Sequence, residues 1–297
     1  MKTLLLLFNP TSGVQKFAGQ LFDVVNLFTA AGYLVSAYPT QCPGDVRRMV
    51  AQHSAAFSTL VVAGGDGTVG EGIDALLAIA PQHRPDFGII PCGTVNDFAG
   101  SLGIPKNALS AAQVIISGSP RALDMGRLEH KHFSYVAAFG MFTDVSYATP
   151  QSAKNLLGKL AYFFEGAKRI AAIESFACEL VLDGTQHISG EFLLGMVANS
   201  HSVAGFKFPK TMNTQLDDGL FEVILIPKPA SFKQGQDMVA ALLTADATKA
   251  DMVTLCKART IDFSAHHPVP WTLDGDFGGA YTTAHIANLH RALEIIT

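Results

Sequence analysis

Thr59-Leu60-Val61-Val62-Ala63-Gly64-Gly65-Asp66-Gly67-Thr68 is the stretch that decides the fold. Thr59–Ala63 is a short apolar run, the composition of a strand buried on both faces. The glycines and Asp66 end it, and Val69–Ala80 follows with apolar residues at helical spacing. Strand, tight turn and helix make half of a βαβ unit. The same alternation extends to either side. Strand-like runs at Thr3–Phe8, Tyr33–Tyr38 and Phe87–Ile90 alternate with helix-like stretches at Phe17–Ala31, Asp45–His53 and Asn107–Ser117. This predicts a doubly wound, mostly parallel α/β domain over residues 1–124. Right-handed crossovers would bring the C-terminal ends of its strands to one edge, where open α/β sheets bind ligands.

Beyond Arg121 the pattern changes. Strand-like segments succeed one another at Arg121–Leu128, His132–Ala138, Phe176–Leu182, Ile188–Ala198, Gly219–Ile226, Met252–Phe263 and Trp271–Leu273. Turns such as Asp183-Gly184 separate several of them. A largely antiparallel, β-rich second domain over 125–287 is expected, interrupted by helices near Ser152–Ile173 and Ser231–Leu243.

Composition narrows the function classes. The chain has 297 residues, 48% of them hydrophobic and 15% charged, which is a globular balance with ample core. A formal charge of −4 argues against nucleic acid as a partner and against tight electrostatic adhesion to anionic lipid. No apolar run reaches the roughly 18 residues of a spanning helix. The apolar run Leu4–Phe8 is too short for a signal peptide and is broken by Asn9-Pro10, so it reads as a buried first strand. Cys42, Cys92, Cys178 and Cys256 form no CxxC pair, so neither a zinc site nor a disulfide framework is indicated. A reduced, cytoplasmic protein is expected.

The strand ends of the first half carry the chemistry. They read Asn9-Pro10-Thr11-Ser12-Gly13, Pro39-Thr40, Gly64-Gly65-Asp66-Gly67-Thr68 and Pro91-Cys92-Gly93-Thr94-Val95-Asn96-Asp97. Glycines let backbone approach a phosphate, hydroxyls add hydrogen bonds, and each following helix start presents unpaired N–H groups. Asp66 is suited to magnesium, a cation that prefers carboxylate oxygen. Singly, each loop is explained by an ordinary capped turn. On one shared edge, they point to a nucleotide site. Neither G-x-G-x-x-G after the first strand nor G-x-x-x-x-G-K-[ST] is present, which disfavours a Rossmann dinucleotide site and excludes a P-loop ATPase.

In combination and order, the Asn9–Gly13, Gly64–Thr68 and Pro91–Ala99 segments resemble three successive motifs of the diacylglycerol kinase/sphingosine kinase catalytic family, of the bacterial soluble type. The likeness continues through Leu123-Asp124-Met125-Gly126, Asp217-Asp218-Gly219-Leu220 and Leu273-Asp274-Gly275-Asp276. Gly64–Thr68 alone is shared with NAD kinases and phosphofructokinases. The resemblance implies an NAD kinase-like α/β domain that binds ATP, a C-terminal β-sandwich that takes the lipid, and a last strand, within 288–297, returning to the first domain. It implies nucleotide contacts from Asn9, Ser12, Thr40, Gly64, Gly65, Asp66, Gly67, Thr68, Gly70, Glu71, Thr94 and Asn96. It also implies a structural magnesium at Gln215, Asp218 and Leu220, partly on backbone oxygens. The family's catalytic acid sits in an Asp-Gly-Glu motif, and this chain has Asp274-Gly275-Asp276 instead, so either acid qualifies as the base.

Phosphoryl transfer needs an anchored triphosphate, charge neutralisation by Mg2+ and an oriented hydroxyl. Asp66 is the candidate for holding magnesium, and Asp274 or Asp276 for accepting the hydroxyl proton. As bare sequence, Leu273–Asp276 is a hairpin turn and Asp217–Gly219 a turn before a strand. The expected activity is ATP-dependent phosphorylation of a diacylglycerol-like or sphingoid-like lipid. Two alternatives stay open: an NAD kinase-type enzyme, and a non-catalytic nucleotide- or lipid-binding regulator. The helix Ser152–Ile173 reads as core-facing with a solvated face rather than as a membrane contact. Phe163, Phe164, Phe206 and Phe208 fit a tail cleft or a core equally. The expected partner is lipid at a membrane surface, met by peripheral and transient contact at most. A homodimer is left open.

Overall fold

The computed structural model describes residues 2–12, 16–140, 174–203, 206–207, 213–244 and 253–297. The chain divides into two compact units, Met1–Asp124 with Arg291–Thr297, and Met125–His290. The helix expected at Ser152–Ile173 lies outside the described residues, as do Phe163, Phe164 and Phe208.

The first unit is built on a parallel sheet of strands β1 (Lys2–Phe8), β2 (Tyr33–Pro39), β3 (Thr59–Gly64) and β4 (Asp86–Pro91), in the order β2-β1-β3-β4. β1, β3 and β4 are buried along Leu4–Phe8, Thr59–Gly64 and Phe87–Pro91, as parallel strands covered on both faces must be. β2 is the edge, and its burial alternates with solvent exposure. Helices α1 (Lys16–Ala30), α2 (Asp45–His53), α3 (Asp66–Leu77), α4 (Asp97–Ser101) and α5 (Ala108–Ser117) complete the unit. Two glycines allow close helix–strand packing. A Cβ on Gly72 of α3 would meet Val62 at 3.0 Å, and one on Gly88 of β4 would meet Ile115 of α5 at 2.7 Å. The Asn107 side chain caps α5 by accepting from the Ser110 N–H at 3.0 Å.

The C-terminal strand belongs to this unit through its last residues. Asp124 accepts from the Arg291 N–H at 2.7 Å, and Ser119 and Thr297 exchange backbone hydrogen bonds. Arg84 ties the strand further, donating to the carbonyls of Ala292 at 2.5 Å and Ile79 at 2.8 Å.

The second unit is antiparallel. Its strands are β5 (Pro120–Leu128, shared with the first unit), β6 (Lys131–Phe133), β7 (Val136–Gly140), β8 (Phe176–Leu182), β9 (Gln186–Ala198), β10 (Ser202–Val203), β11 (Phe206–Lys207), β12 (Phe221–Pro227), β13 (Thr254–Ala258), β14 (Thr260–Leu273) and β15 (Asp276–Ile296). One helix, α6 (Phe232–Thr244), lies between β12 and β13, with Ser231 Oγ accepting from the Gln234 N–H at 3.1 Å. β9 pairs with β8 through its first half and with β7 and β12 through its second. β14 likewise pairs with β8 at Ile261–Ala265 and with β7 at Trp271–Leu273, with register shifts between. The strands β9-β7-β14-β8 therefore close on one another. The long strands bend and serve two layers, which is how a sandwich turns its corners. The space enclosed is filled by Phe139, Phe192, Phe263 and Trp271 among others, with Phe139 and Trp271 ring centroids 4.9 Å apart.

The structure refines several expected boundaries. The segment expected at Met252–Phe263 breaks at Arg259, because the Asp183 carboxylate accepts from both the Arg259 and Thr260 N–H groups at 2.9 Å. Trp271–Leu273 is the end of the 14-residue strand β14, in which Pro268 falls within the register shift between Ser264 and Val269 and Pro270 pairs with Ala280. The short helix α4 was not expected.

Candidate active site

The four loops anticipated at the strand ends lie side by side, because the four strands of that sheet are parallel. Backbone hydrogen bonds stitch them together. The Asn9 N–H donates to the Ala63 carbonyl at 3.0 Å, Thr40 N–H to the Phe8 carbonyl at 2.9 Å, and Cys92 N–H to the Gly64 carbonyl at 2.8 Å. Asn9 Nδ2 reaches Thr68 Oγ1 at 3.4 Å, while its Oδ1 accepts from the N–H and hydroxyl of Thr11. Ser12 closes the same turn through its N–H to the Asn9 carbonyl.

The glycines at the centre are there because their neighbours leave no room for a side chain. A Cβ on Gly93 would lie 2.6 Å from Gly65 Cα, where backbone meets backbone, and one on Gly64 would strike the Thr68 side chain, 2.5 Å from its Cβ. Asn96 holds the β4 loop in shape from a left-handed conformation, φ 56°, where Asn is among the better-tolerated residues. Its Oδ1 accepts from the Gly93 N–H at 2.8 Å and its Nδ2 donates to the Gly93 carbonyl at 2.7 Å. Asn96 is thus buried and self-satisfied, a brace for the loop.

Asp66 is the first residue of α3, beside its unpaired N–H groups. Burial pushes its carboxyl above the usual aspartate range, against the pull of the backbone N–H groups of Phe98, Asp97 and Asn96. The Phe98 N–H lies 3.4 Å from Asp66 Oδ1. Gly67 and Thr94 are exposed, and Gly65, Gly70 and Glu71 are half-buried. Glu71 points back to the α2 entry, accepting from the Gly44 N–H at 2.8 Å. The edge therefore presents glycine backbone, hydroxyls and one desolvated carboxylate, which suits the anionic oxygens of a nucleotide triphosphate and a cation bound with them.

In the second unit the two acids of the β14–β15 turn have opposite surroundings. Asp274 Oδ2 accepts from the Ser134 N–H and hydroxyl at 2.6 and 2.7 Å, and Oδ1 from the Tyr135 and Val136 N–H groups, both at 3.0 Å. Burial pushes its carboxyl up while these four donors pull it down. Both oxygens are committed. Asp276 stands exposed at the turn, at the start of β15. The geometry separates what the sequence left as a pair: Asp274 is an anchor, and Asp276 is the acid facing solvent.

Asp218 Oδ1 accepts from the Leu220 N–H at 3.0 Å. Lys257 Nζ lies 3.0 Å from Asp218 Oδ2, 3.1 Å from the Asn213 carbonyl and 3.2 Å from Glu222 Oε1. Glu222 is fully buried, and burial pushes its carboxyl up to about 7. Gln215 is exposed. Sequence reasoning did not find Lys257 and Glu222; a charged pair within strand-like runs was the available signal. Nor did it find Ser134–Val136, which are 140 residues or fewer from Asp274 in sequence and carry no motif.

Residues 3–128 match the model of the diacylglycerol kinase catalytic domain, and residues 136–297 that of the YegS C-terminal NAD kinase β-sandwich-like domain. A diacylglycerol kinase of Bacillus subtilis is 31% identical over 298 aligned residues, covering 100% of this chain and 96% of that protein. This chain belongs to the diacylglycerol kinase family. A Staphylococcus aureus diacylglycerol kinase is 34% identical over 292 residues, covering 98% of this chain and 90% of the relative. Membership makes the chain a lipid kinase. Its fold is also that of a solved diacylglycerol kinase structure from Bacillus anthracis, with a TM-score of 0.75 at 23% identity over 99% of this chain and 96% of the other. An NAD kinase of Archaeoglobus fulgidus in complex with ATP shares the fold at TM-score 0.51 and 11% identity, covering 99% of this chain and 93% of the other. No helix among the described residues is long and apolar enough to cross a membrane.

Proposed function

We propose that this chain transfers the γ-phosphoryl group of ATP to the free hydroxyl of a diacylglycerol-like lipid presented at a membrane surface, and does so in the cytoplasm. The observation that carries the reading is the backbone-to-backbone packing of the Gly64–Thr68 and Gly93–Asn96 loops beside Asp66. That arrangement is a phosphate cradle with a carboxylate at its rim, on a chain whose relatives are diacylglycerol kinases. Residues Asn9, Ser12, Thr40, Gly64–Glu71, Thr94 and Asn96 form or brace the nucleotide side. Asp276 accepts the proton of the lipid hydroxyl, the oxygen attacks the γ-phosphorus, and the bond to the β-bridging oxygen breaks to release ADP. Asp274 keeps the turn in place.

Magnesium fits one place by the chemistry of the donors, and the family resemblance suggests a second. Asp66 offers a desolvated carboxylate next to the phosphate cradle. At the 213–222 loop, Lys257 Nζ sits against the Asp218 and Glu222 carboxylates and the Asn213 carbonyl, so an ion held by Gln215, Asp218 and Leu220 would have to share Asp218 with that ammonium. Among the described residues no three His, Cys, Asp or Glu side chains converge, so an ion there would draw on backbone oxygens and water as well as Asp218. An ion held by Asp66 would supply neutralisation of phosphate charge; the other roles in the step fall to side chains and backbone of this chain.

Purified protein with ATP and magnesium, offered mixed micelles of diacylglycerol, sphingoid base, phosphatidylglycerol or no lipid, tests the reading. Phosphate transfer to diacylglycerol that vanishes in Asp66→Ala is expected. Transfer to sphingoid base alone would replace the acceptor, and transfer to NAD with none to lipid would replace the activity. ATP binding without transfer to any acceptor would leave a regulator.

A further inference from the structure

Among the described residues only Phe22, Leu34 and Phe277 are large apolar side chains standing in solvent, at 79%, 53% and 70% exposure. Phe22 lies on α1 and Leu34 on the edge strand β2, both in the first unit. Phe277 is the one in the second unit, and it follows Asp276 directly on the β14–β15 turn.

The exposure of Phe277 is not that of a loose loop. Leu273 pairs with Asp276 and Thr272 with Phe277. The Asp274 N–H donates to the Val136 carbonyl at 2.9 Å, beneath the four bonds its carboxylate accepts. Tyr135 Oη donates to the Asp274 carbonyl at 3.4 Å and Tyr281 Oη to the Gly278 carbonyl at 3.1 Å. Gly275, Gly278 and Gly279 flank the ring in sequence and offer no side chain to cover it. Their compactness is required by the packing, since a Cβ on Gly278 would meet Leu273 Cγ at 2.8 Å and one on Gly279 would meet Tyr281 Oη at 2.6 Å. A rigid turn thus presents a bare aromatic ring beside an exposed carboxylate.

We propose that Phe277 is an interface-anchoring residue: its ring enters the bilayer among the glycerol-proximal acyl chains and so holds the turn at the depth where Asp276, on the other face of the strand, meets the hydroxyl of a diacylglycerol-type lipid. This rests on the lipid-kinase reading above and deepens it. The hydroxyl of such a lipid lies at the headgroup level, just above the headgroup–acyl boundary in which the Phe, Trp and Leu side chains of membrane-surface segments bury. Asp276 and Phe277 are successive residues of β15 and leave it on opposite faces, but their Cα atoms are only about 3.8 Å apart, so a ring held at that depth keeps the carboxylate at the level of the hydroxyl. The carboxylate beside the ring also selects for an uncharged acceptor over an anionic lipid.

The test uses the full chain with phosphatidylcholine vesicles carrying diacylglycerol. In Phe277→Ser the surface KM for diacylglycerol rises about tenfold, the loss of one apolar contact of tenfold in affinity, whereas KM for ATP does not move. Phe277→Leu recovers most of the difference. Phe277→Trp gives a readout that needs no turnover: with brominated-chain phosphatidylcholine its fluorescence is quenched on vesicle binding, against the fully buried Trp271 as the unquenched background that wild type reports. An unchanged lipid KM in Phe277→Ser, or no quenching beyond wild type in Phe277→Trp, overturns the proposal. A wild-type protein that phosphorylates no lipid would instead defeat the underlying kinase reading, and the quenching measurement separates that failure from this one.

Discussion

The glycine loops of the α/β unit and the β14–β15 turn of the second unit both end strands on polar residues, yet they are built in opposite ways. At the loops the topology does the assembling: parallel strands must end on one edge, and backbone N–H and C=O groups then bind the loops to one another. At the turn a single side chain does it, with Asp274 collecting donors from Ser134, Tyr135 and Val136. A site made of backbone is broken by adding atoms. One made of side chains is broken by removing them.

The sharpest contrast lies within the turn. Asp276→Asn removes the proton acceptor, and kcat for lipid phosphorylation should fall about 10²–10⁴-fold with the thermal midpoint unchanged. Asp274→Asn places an amide N–H₂ against N–H donors. It should lower stability by about 2–4 kcal/mol, the cost of leaving several buried donors unpaired, as read by denaturant unfolding. A variant pair with the two patterns exchanged would reverse the roles of the acids.

At the loops the complementary experiment adds one methyl group. Gly93→Ala puts Cβ 2.6 Å from the backbone of Gly65, which has no flexible end to yield. The expected cost is about 1–3 kcal/mol of stability, with a raised KM for ATP. Gly19→Ala, in α1 with nothing within 4 Å of its Cβ, is the control and should stabilise by about 0.5–1 kcal/mol. Equal effects at both glycines would remove the argument from close backbone approach.

A smaller effect follows from the desolvated carboxyl at the loop edge. Burial holds the folded-state pKa of Asp66 above its unfolded value. Between those two values the folded protein retains a proton that the unfolded chain has lost, so stability falls as pH rises through the window. Asp66→Asn should flatten that slope in nucleotide-free protein, measured by unfolding from the ordinary aspartate pKa upward. A slope identical to wild type would mean that Asp66 is not desolvated.

These differences also explain what could be read in advance. The first unit was legible because strand and helix periods alternate cleanly, and parallel pairing then places Asn9, Thr40, Gly64 and Gly93 together without further information. The division of labour between Asp274 and Asp276 was not legible. It depends on which turn residue points at Ser134, a contact spanning 140 positions that no local pattern encodes. The Lys257–Glu222 pair was hidden for the same reason, since Cys256-Lys257-Ala258 and Phe221-Glu222-Val223 read only as strand interiors until β12 and β13 are seen to pair. Boundaries such as the break at Arg259 rest on one side chain, Asp183, reaching across from another hairpin.

The finest test of the contrast is Asp276→Glu, which restores the acid found in the family's own motif. If the turn is rigidly set by Asp274, lengthening the exposed acid by one methylene moves only its own carboxylate, because residue 276 joins the turn through its backbone pairing with Leu273. A proton acceptor that meets a mobile lipid hydroxyl tolerates such a shift, so kcat should stay within about tenfold of wild type and the melting temperature should not change. A gain well beyond tenfold would show that the shorter acid leaves the hydroxyl out of reach, and would identify this chain as a lipid kinase with a weakened base. A loss of stability would show that residue 276 also supports the turn, and the separation of anchor from base would fail.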